Sequence, residues 1–178
     1  MHGLMMETPL LISSIAEHAE KFHGDREIVS VTMDNPRHRY TMRESVKRAR
    51  QLANALGNLG LNRGDRVATI AWNDYRHLEV YYAVSGAGQV CHTINPRLFP
   101  EQLIFIINHA EDRWIFTDLM FVPLLEKLLP HIANVEGFVV MTDEANMPET
   151  SLPNAVCYET MLAAESDDYE WPQFDERT

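Results

Sequence analysis

The sequence predicts an α/β fold: an open, mostly parallel sheet flanked by helices, with a β-hairpin near the N-terminus. Within residues 66–108, short apolar runs alternate with longer amphipathic segments in the order strand, helix, strand, helix. This order is typical of a parallel crossover unit, whose connection is right-handed. Before that unit, two short strand-like segments flank Asp34-Asn35-Pro36, a turn sequence that predicts the hairpin.

The elements before the parallel sheet follow from periodicity and capping residues. Apolar residues at helical spacing predict the first helix, and alternation predicts a half-buried strand after it. Thr41 followed by Glu44 predicts a capping box, and Gly60 ends the long apolar stripe that begins there. The predicted ranges are a helix at 10–22, strands at 27–33 and 37–40, and a helix at 42–59.

The parallel sheet takes its strands from four short apolar runs separated by helical patterns. Pro123 fits the last of these helices only if it lies in the first turn, since proline lacks the amide hydrogen that later turns require. The predicted strands are 67–71, 90–94, 113–117 and 137–141, and the helices between them are 77–88, one beginning at Pro100, and 119–129.

Charge divides the chain into two unequal parts. The net charge of −11 arises mainly from residues 142–178, which carry ten acidic side chains and one basic one, Arg177. Residues 1–141 carry 16 acidic and 14 basic groups, so no basic face for nucleic acid is expected. We predict an α/β lobe over 1–141 and an acidic, linker-like tail over 142–178 with one short helix at 158–165.

Composition places the chain among soluble globular proteins. Hydrophobic residues make up 46% and charged residues 23%, and the apolar runs are too short to span a membrane. Cys91 and Cys157 are the only cysteines and form no Cys-x-x-Cys motif. Together with the absence of a signal-peptide pattern, they predict a reduced, cytoplasmic protein.

Two motifs that resemble chemical sites favour structural roles. His77-Leu78-Glu79 matches half of the zinc deaminase signature but lacks its Pro-Cys-x-x-Cys partner, so Glu79 is interpreted as a charge on a helix surface. None of the eight histidines lies in a His-Glu-x-x-His motif. Ser85-Gly86-Ala87-Gly88 resembles a phosphate loop but ends a helix, so its small residues are expected to let the helix approach the sheet.

The aromatic residues Trp72, Tyr75, Tyr81 and Tyr82 have two interpretations, an acyl pocket or core packing. Adjacent tyrosines on a helix point in different directions. We therefore expect one of Tyr81 and Tyr82 to lie in the core and the other at the surface or an interface.

Asn95-Pro96-Arg97 follows the carboxyl end of a predicted parallel strand, where open α/β sheets bind ligands. Arg97 suits a carboxylate or phosphate, or it tethers the loop through carbonyl groups or Asp118; the tether is favoured. Phe99 precedes Pro100 at a position where Ser or Asp is the usual N-cap, so an exposed aromatic available for a contact is expected.

Longer stretches resemble a known family, the acyl-adenylate-forming (AMP-binding) enzymes, and within it bacterial medium- and long-chain fatty-acid–CoA ligases. The stretches are YTMRESVKRARQLANALGNLGLNRGDRVATIAWN and HLEVYYAVSGAGQVCHTINPRLFPEQLIFIINHAEDR, with HTINPRL and INHAED the most specific parts. The resemblance runs from about residue 10 to 171, and Tyr169-Glu170-Trp171-Pro172 is similar to the lead-in to the family's phosphate-binding loop.

The resemblance implies the first lobe of the N-terminal domain of an enzyme that uses ATP, Mg²⁺ and CoA to convert a fatty acid into acyl-CoA. The family's glycine-rich Pro-Lys-Gly loop, its Thr-Glu pair and its catalytic lysine have no match among Lys21, Lys47 and Lys127 or elsewhere. No catalytic, cofactor-binding or metal residue is therefore expected here, and the chain alone is expected to be inactive. The alternative is a complete, non-catalytic α/β module for ligand binding or dimerisation.

A lobe that packs against further sequence is expected to expose apolar surface, which drives self-association. We therefore expect a homodimer. Weak peripheral association with membranes is compatible with a fatty-acid substrate. Acyl chain length is not expected to be readable from these residues.

Overall fold

The computed structural model describes residues 7–177, in which a parallel sheet has helices on both faces and a hairpin lies beside it. The strands are β1 (Glu27–Ser30), β2 (His38–Thr41), β3 (Arg66–Ile70), β4 (Val90–Thr93), β5 (Trp114–Thr117), β6 (Gly137–Val140) and β7 (Ala155–Cys157). The α-helices are α1 (Ile12–His23), α2 (Met42–Asn58), α3 (Tyr75–Gly86), α4 (Pro100–Ala110), α5 (Val122–Leu128) and α6 (Tyr158–Ala163). Short 3₁₀ turns occupy Leu119–Phe121, Leu129–His131 and Glu144–Asn146.

The sheet has the strand order β4-β3-β5-β6-β7, and every neighbouring pair is parallel. β1 and β2 pair antiparallel as the separate hairpin, with Glu27 opposite Thr41. The predicted α/β class, with its parallel sheet and hairpin, is confirmed.

Alternating residues of the strands pack into two hydrophobic cores, one on each face of the sheet. Phe116 and Val139 pack with α2, α3 and α6, whereas Ile115 and Phe138 pack with α4 and α5. All four side chains are fully buried. Burial on both faces explains why β5 and β6 are continuous apolar runs without the alternation of a half-exposed strand.

The predicted helix boundaries agree with the structure where capping residues mark them. Glu44 N donates to Thr41 Oγ1 at 3.2 Å and Thr41 N donates to Glu44 Oε2 at 2.6 Å, which confirms the capping box. Gly60, just past the end of α2, has φ +77, a left-handed conformation that glycine adopts without strain. Pro123 is the second residue of α5, in its first turn as predicted.

The first hairpin strand is shorter than predicted. β1 ends at Ser30, and the expectation of a strand through residue 33 is wrong. Thr32 N donates to Asn35 O at 2.9 Å, and the Thr32 hydroxyl donates to Asp34 Oδ1 at 2.5 Å. These contacts draw residues 32–35 into a turn, and Val31 and Met33 are left exposed.

The linker-like character predicted for residues 142–178 is wrong for the segment that contains β7 and α6. β7 is the fifth strand of the sheet, and α6 packs on α2. Tyr158, Leu162 and Trp171 are at most 6% exposed, whereas most of the acidic residues between them point to solvent. The apolar residues are spaced singly among prolines and acids, so no periodic pattern marked them. The division after residue 141 stays a prediction.

Cys91 and Cys157 are free thiols, the first partly buried and the second buried. No α-helix within residues 7–177 has the length and apolar character needed to cross a membrane. A cytoplasmic location stays a prediction.

Candidate functional site

The carboxyl ends of β3 and β5 border a cavity of about 250 Å³. We call it the carboxyl-edge cavity; its lining residues are Val31, Thr32, Met33, Trp72, Asp74 and Asp118. The hairpin supplies one wall, and the segments that follow β3 and β5 supply the other. Open α/β sheets bind ligands at this edge, so the cavity is the candidate site of the lobe.

Two carboxyl groups set the electrostatics of the cavity. Asp118 Oδ2 accepts a hydrogen bond from Trp72 N at 2.7 Å, and Asp74 Oδ1 accepts one from His77 N at 2.9 Å, at the start of α3. Burial raises the pKa of Asp118 to about 6 against the single bond from Trp72, and burial also raises the pKa of Asp74. Two carboxyl groups therefore line the cavity, and the guanidinium of Arg97 lies beside it, over the Trp72 ring.

Arg97 does not form the predicted tether to Asp118. Its side chain is exposed, and its guanidinium carbon lies 5.3 Å from the centre of the Trp72 ring. Arg97 N donates to Asn95 Oδ1 at 3.0 Å, which orders the loop after β4. The contact of Arg97 with this edge of the sheet is thus a cation–π contact, and the cation remains accessible to solvent.

Five charged residues form an ion cluster: Asp34, Arg48, Arg76, Glu79 and Glu159. Of these, Arg76 and Glu79 are buried, and the side chains of Arg48 and Glu159 are about a quarter exposed. Arg48 bridges two carboxylates, at 2.8 Å to Glu79 and 3.0 Å to Glu159. Arg76 bridges two as well, at 2.7 Å to Glu159 and 2.9 Å to Asp34. The cluster joins the hairpin turn, α2, α3 and α6, so it links segments that are far apart in the chain.

Glu79 is fully buried, so its interpretation as a surface charge is wrong. Tyr158 Oη donates to Glu79 Oε2 at 2.7 Å. Burial raises the pKa of Glu79, while the neighbouring Arg48 opposes that effect. Helical spacing indicated that Glu79 is buried. It lies four residues after Tyr75 and four before Ala83, and both of these residues are buried on the same face of α3.

The arginines of the cluster are held by protein carboxylates. Burial alone would raise the pKa of Glu159, but the hydrogen bonds and positive charges of Arg48 and Arg76 outweigh it and lower that pKa. Arg76 also donates to Met141 O at 3.1 Å, which fixes the end of β6. With two cations facing three carboxyl groups, the cluster offers no net positive charge to a phosphate.

Both nitrogens of the His77 ring contact protein atoms. Its Nδ1 lies 3.0 Å from Trp72 O and its Nε2 lies 2.9 Å from Thr69 Oγ1, and burial lowers its pKa and keeps it neutral. Within residues 7–177, no group of three or more His, Cys, Asp or Glu side chains is arranged to hold a metal ion.

The small residues at the end of α3 have the structural role that their position predicts, but their partner is different. A Cβ at Gly86 would lie 2.6 Å from the Trp171 ring, so the glycine admits Trp171 rather than bringing the helix onto the sheet. Gly88 has φ +81, as expected of a residue that ends a helix.

The aromatic candidates take separate places. Tyr75 is 4% exposed and stacks on His38 with ring centres 3.6 Å apart. Tyr82 is partly buried against the core, whereas Tyr81 is 37% exposed and stacks on His77. The expected split between Tyr81 and Tyr82 is thus confirmed in direction, although Tyr82 is not fully buried. Phe99 is 73% exposed, as expected, and Gln102 Oε1 accepts from its amide.

The residues at this edge do not fit a magnesium–nucleotide complex. A triphosphate requires cations and free backbone amides, but the cavity is lined by Asp74 and Asp118, and Arg76 is paired with protein carboxylates. The lysines lie on α1, α2 and α5, and none of them lines the cavity. The ion cluster therefore stabilises the fold, and the cavity is lined by acidic and apolar side chains.

Residues 15–173 match the family model described as AMP-binding enzyme. The chain is 48% identical over 178 residues to 3-methylmercaptopropionyl-CoA ligase of Ruegeria lacuscaerulensis, covering 100% of this chain and 33% of that relative. It is 48% identical over 176 residues to the medium-chain-fatty-acid–CoA ligase of Ectopseudomonas oleovorans, covering 99% and 32%. With the long-chain-fatty-acid–CoA ligase of Thermus thermophilus it shares 41% identity over 169 residues, covering 95% and 30%.

Solved structures share the fold. The anthranilate CoA ligase in complex with anthranoyl-AMP has a TM-score of 0.81 at 18% identity and covers 98% of this chain and 32% of its own. A putative long-chain-fatty-acid CoA ligase from Rhodopseudomonas palustris has a TM-score of 0.74 at 20% identity, covering 94% and 39%. The chain thus spans about a third of the length of the curated relatives it matches.

Proposed function

The chain belongs to the AMP-binding enzyme family, and from that membership we propose that it is the N-terminal lobe of an AMP-forming fatty-acid–CoA ligase. The observation that carries this proposal is the match over 15–173, combined with 48% identity to a medium-chain-fatty-acid–CoA ligase. Such a ligase joins a carboxylic acid to the thiol of CoA while ATP is converted to AMP and pyrophosphate.

The proposed role of this lobe is to support the reaction without performing it. Arg48 and Arg76 are held by protein carboxylates, and Asp74 and Asp118 line the cavity. Arg97 is the accessible cation beside that cavity, which is less positive charge than the stabilisation of a transferring phosphate requires. ATP, Mg²⁺ and CoA are therefore proposed for the whole ligase and for none of the residues described here. The carboxyl-edge cavity has Trp72 and Met33 in its wall. We propose that in the whole ligase it borders either the acyl-binding pocket or a surface that contacts a partner.

The substrate class of the whole ligase rests on its relatives. Fatty-acid ligases at 48% and 41% identity support a fatty acid, and the equal identity to 3-methylmercaptopropionyl-CoA ligases makes that short thioether acid the second candidate. The negative charge of the chain and the even charge balance of residues 1–141 argue against nucleic acid as a partner. A cytoplasmic enzyme, dimeric and at most weakly associated with membranes, is part of the same proposal.

The substrate proposal is tested with the ligase produced from the complete reading frame that contains this sequence. AMP release is measured with straight-chain acids of increasing length and with 3-methylmercaptopropionate. We expect kcat/KM for a medium-chain acid to exceed that for the thioether acid by about tenfold, since each further buried methylene contributes about 0.8 kcal/mol. A preference for the thioether acid would contradict the substrate proposal, and a reading frame that ends at Thr178 would favour the non-catalytic module instead.

A further inference from the structure

We propose that, in the whole ligase, the outer side of α1 is covered by the polypeptide that follows Thr178. An apolar stripe runs along this side of the helix; it consists of Ile12, Ile15 and Phe22, and we call it the α1 stripe. The inference rests on the proposed function, because only a whole ligase supplies the covering chain.

The burial pattern of α1 is the reverse of that of an ordinary surface helix. Its buried side chains are small: Ser13 is 2% exposed and Ala16 is fully buried, and α1 packs against α2 and α3. Ile12, Ile15 and Phe22 are 42%, 54% and 61% exposed. A surface helix normally turns its large apolar side chains toward the core. Because α1 turns them toward solvent, its outer side has the composition of an interface.

The spacing of the α1 stripe makes it one continuous surface. Its residues lie at positions i, i+3 and i+10, so they share one side of the helix over about 15 Å. Glu17 and Lys21 are exposed on the opposite side of the helix. Single exposed apolar side chains are ordinary on protein surfaces, whereas three on one side of one helix form a patch that marks an interaction surface.

The end of the described chain lies at the start of the α1 stripe. Leu10, two residues before Ile12, is exposed, and its amide donates to Glu176 Oε2 at 2.6 Å. A hollow of about 250 Å³ is lined by residues from both ends of the described chain: Glu7, Thr8, Pro9, Asp175, Glu176 and Arg177. Polypeptide that continues past Arg177 therefore leaves the lobe beside Leu10, a few residues from the stripe.

The length of the relatives provides enough polypeptide to cover the stripe. This chain spans about a third of the length of the curated relatives it matches, so a ligase of that size has about twice as many residues outside the lobe as within it. Connections between packed elements are usually short, so polypeptide that leaves the lobe beside Leu10 is well placed to pack on α1. Covering the stripe removes apolar side chains from water, which favours this packing.

Two other occupants fit the stripe less well. A helix that binds an anionic membrane carries Lys and Arg on its polar side, whereas α1 has Glu17 beside Lys21 and the chain has a net charge of −11. A second copy of the chain would cover the stripe only at concentrations that support association. Dilution therefore distinguishes a second copy from covering within one polypeptide.

The test is maleimide labelling of single introduced cysteines in the ligase produced from the complete reading frame. Ile15→Cys places a thiol on the α1 stripe, and Glu17→Cys is the matched control, because two residues along a helix are about 200° apart around its axis. We expect the thiol of I15C to react about tenfold more slowly than that of E17C, because a covered thiol reacts only when the covering segment opens transiently. Peptide mass spectrometry reads the label at each introduced cysteine.

A second pair of variants makes the result independent of one substitution. Phe22→Cys lies at the other end of the stripe, and Lys21→Cys is its control on the opposite side of α1. The same slower labelling is expected at Phe22→Cys. Labelling is repeated over a dilution series, and protection within one polypeptide is expected to persist at every concentration.

Equal labelling rates at the stripe and control positions would overturn the inference. So would protection that disappears on dilution, which would assign the covering to a second copy, or a reading frame that ends at Thr178. AMP release with a medium-chain acid is measured on the same samples. An active ligase with an unprotected stripe would contradict this inference and leave the proposed function standing, whereas a protected stripe without fatty-acid activity would do the reverse.

Discussion

Replacement of Arg48 by Met is expected to lower the free energy of unfolding by about 3–5 kcal/mol, because it leaves a buried carboxylate without its cation. Glu79 is fully buried, and within residues 7–177 its one ion pair is with Arg48, at 2.8 Å. The same change removes one of the two guanidinium groups that hold Glu159. Equilibrium denaturation in urea measures the difference.

The matched variants separate charge pairing from general disruption. Arg39→Met removes an ion pair with Glu27 in which both side chains are about half exposed, and it is expected to cost less than about 1 kcal/mol. Glu79→Gln keeps an acceptor for Tyr158 and removes the buried charge, so the double variant R48M/E79Q is expected to be more stable than R48M. A double variant no more stable than the single would contradict this reading of the cluster.

The loss in R48M is also expected to depend on pH. Burial raises the pKa of Glu79 above its ordinary value of 4.5, and removal of Arg48 raises it further. Above pH 4.5 the folded state then binds more protons than the unfolded state, so stability falls as pH rises. The difference in free energy of unfolding between the wild-type chain and R48M should therefore be smallest near pH 4.5 and grow toward neutral pH. A difference that does not depend on pH would contradict the attribution of the loss to the unpaired Glu79 carboxylate.

A chain that ends at residue 141 is expected not to fold. It lacks β7 and the buried side chains of Tyr158, Leu162 and Trp171, each of which contributes about 1.5–3 kcal/mol by burial. It also lacks Glu159, the carboxylate that both Arg48 and Arg76 share. The summed loss is comparable to the total stability of a typical domain, about 5–15 kcal/mol.

A chain that ends at Phe174 is the control, because it keeps β7, α6 and Trp171 and removes, of the described residues, only Asp175, Glu176 and Arg177, which are exposed. We expect it to show a cooperative thermal transition, which the chain ending at residue 141 should lack. A cooperative transition of similar midpoint in the shorter chain would support a domain boundary after residue 141 and contradict the role of the last segment in the fold.

The elements that local patterns define were predictable from the sequence. The capping box at Thr41 and the buried runs of β3, β5 and β6 depend on residues close together in the chain, so their spacing indicates them directly. The turn at residues 32–35 was misjudged because Val31 and Met33 alternate like a strand, while side-chain hydrogen bonds of Thr32 close the turn.

The candidate site was less predictable because its contacts are long-range. Glu159 meets Arg48 across 111 residues of sequence, and no local pattern marks either residue as a partner of the other. Trp171 occupies the space that Gly86 leaves open, a pairing that neither residue indicates alone. Helical spacing on α3 did mark Glu79 as inward-facing, and that signal was outweighed by the usual exposure of glutamate.

The most direct measurement of the proposed supporting role is ATP–pyrophosphate exchange by the purified 178-residue chain with Mg²⁺ and a medium-chain fatty acid. We expect no exchange above that of a heat-denatured sample, because Asp74 and Asp118 line the cavity at the accessible edge of the sheet, and Arg48 and Arg76 are held by protein carboxylates. Exchange activity that co-elutes with the pure chain would contradict the assignment of this lobe to support rather than chemistry.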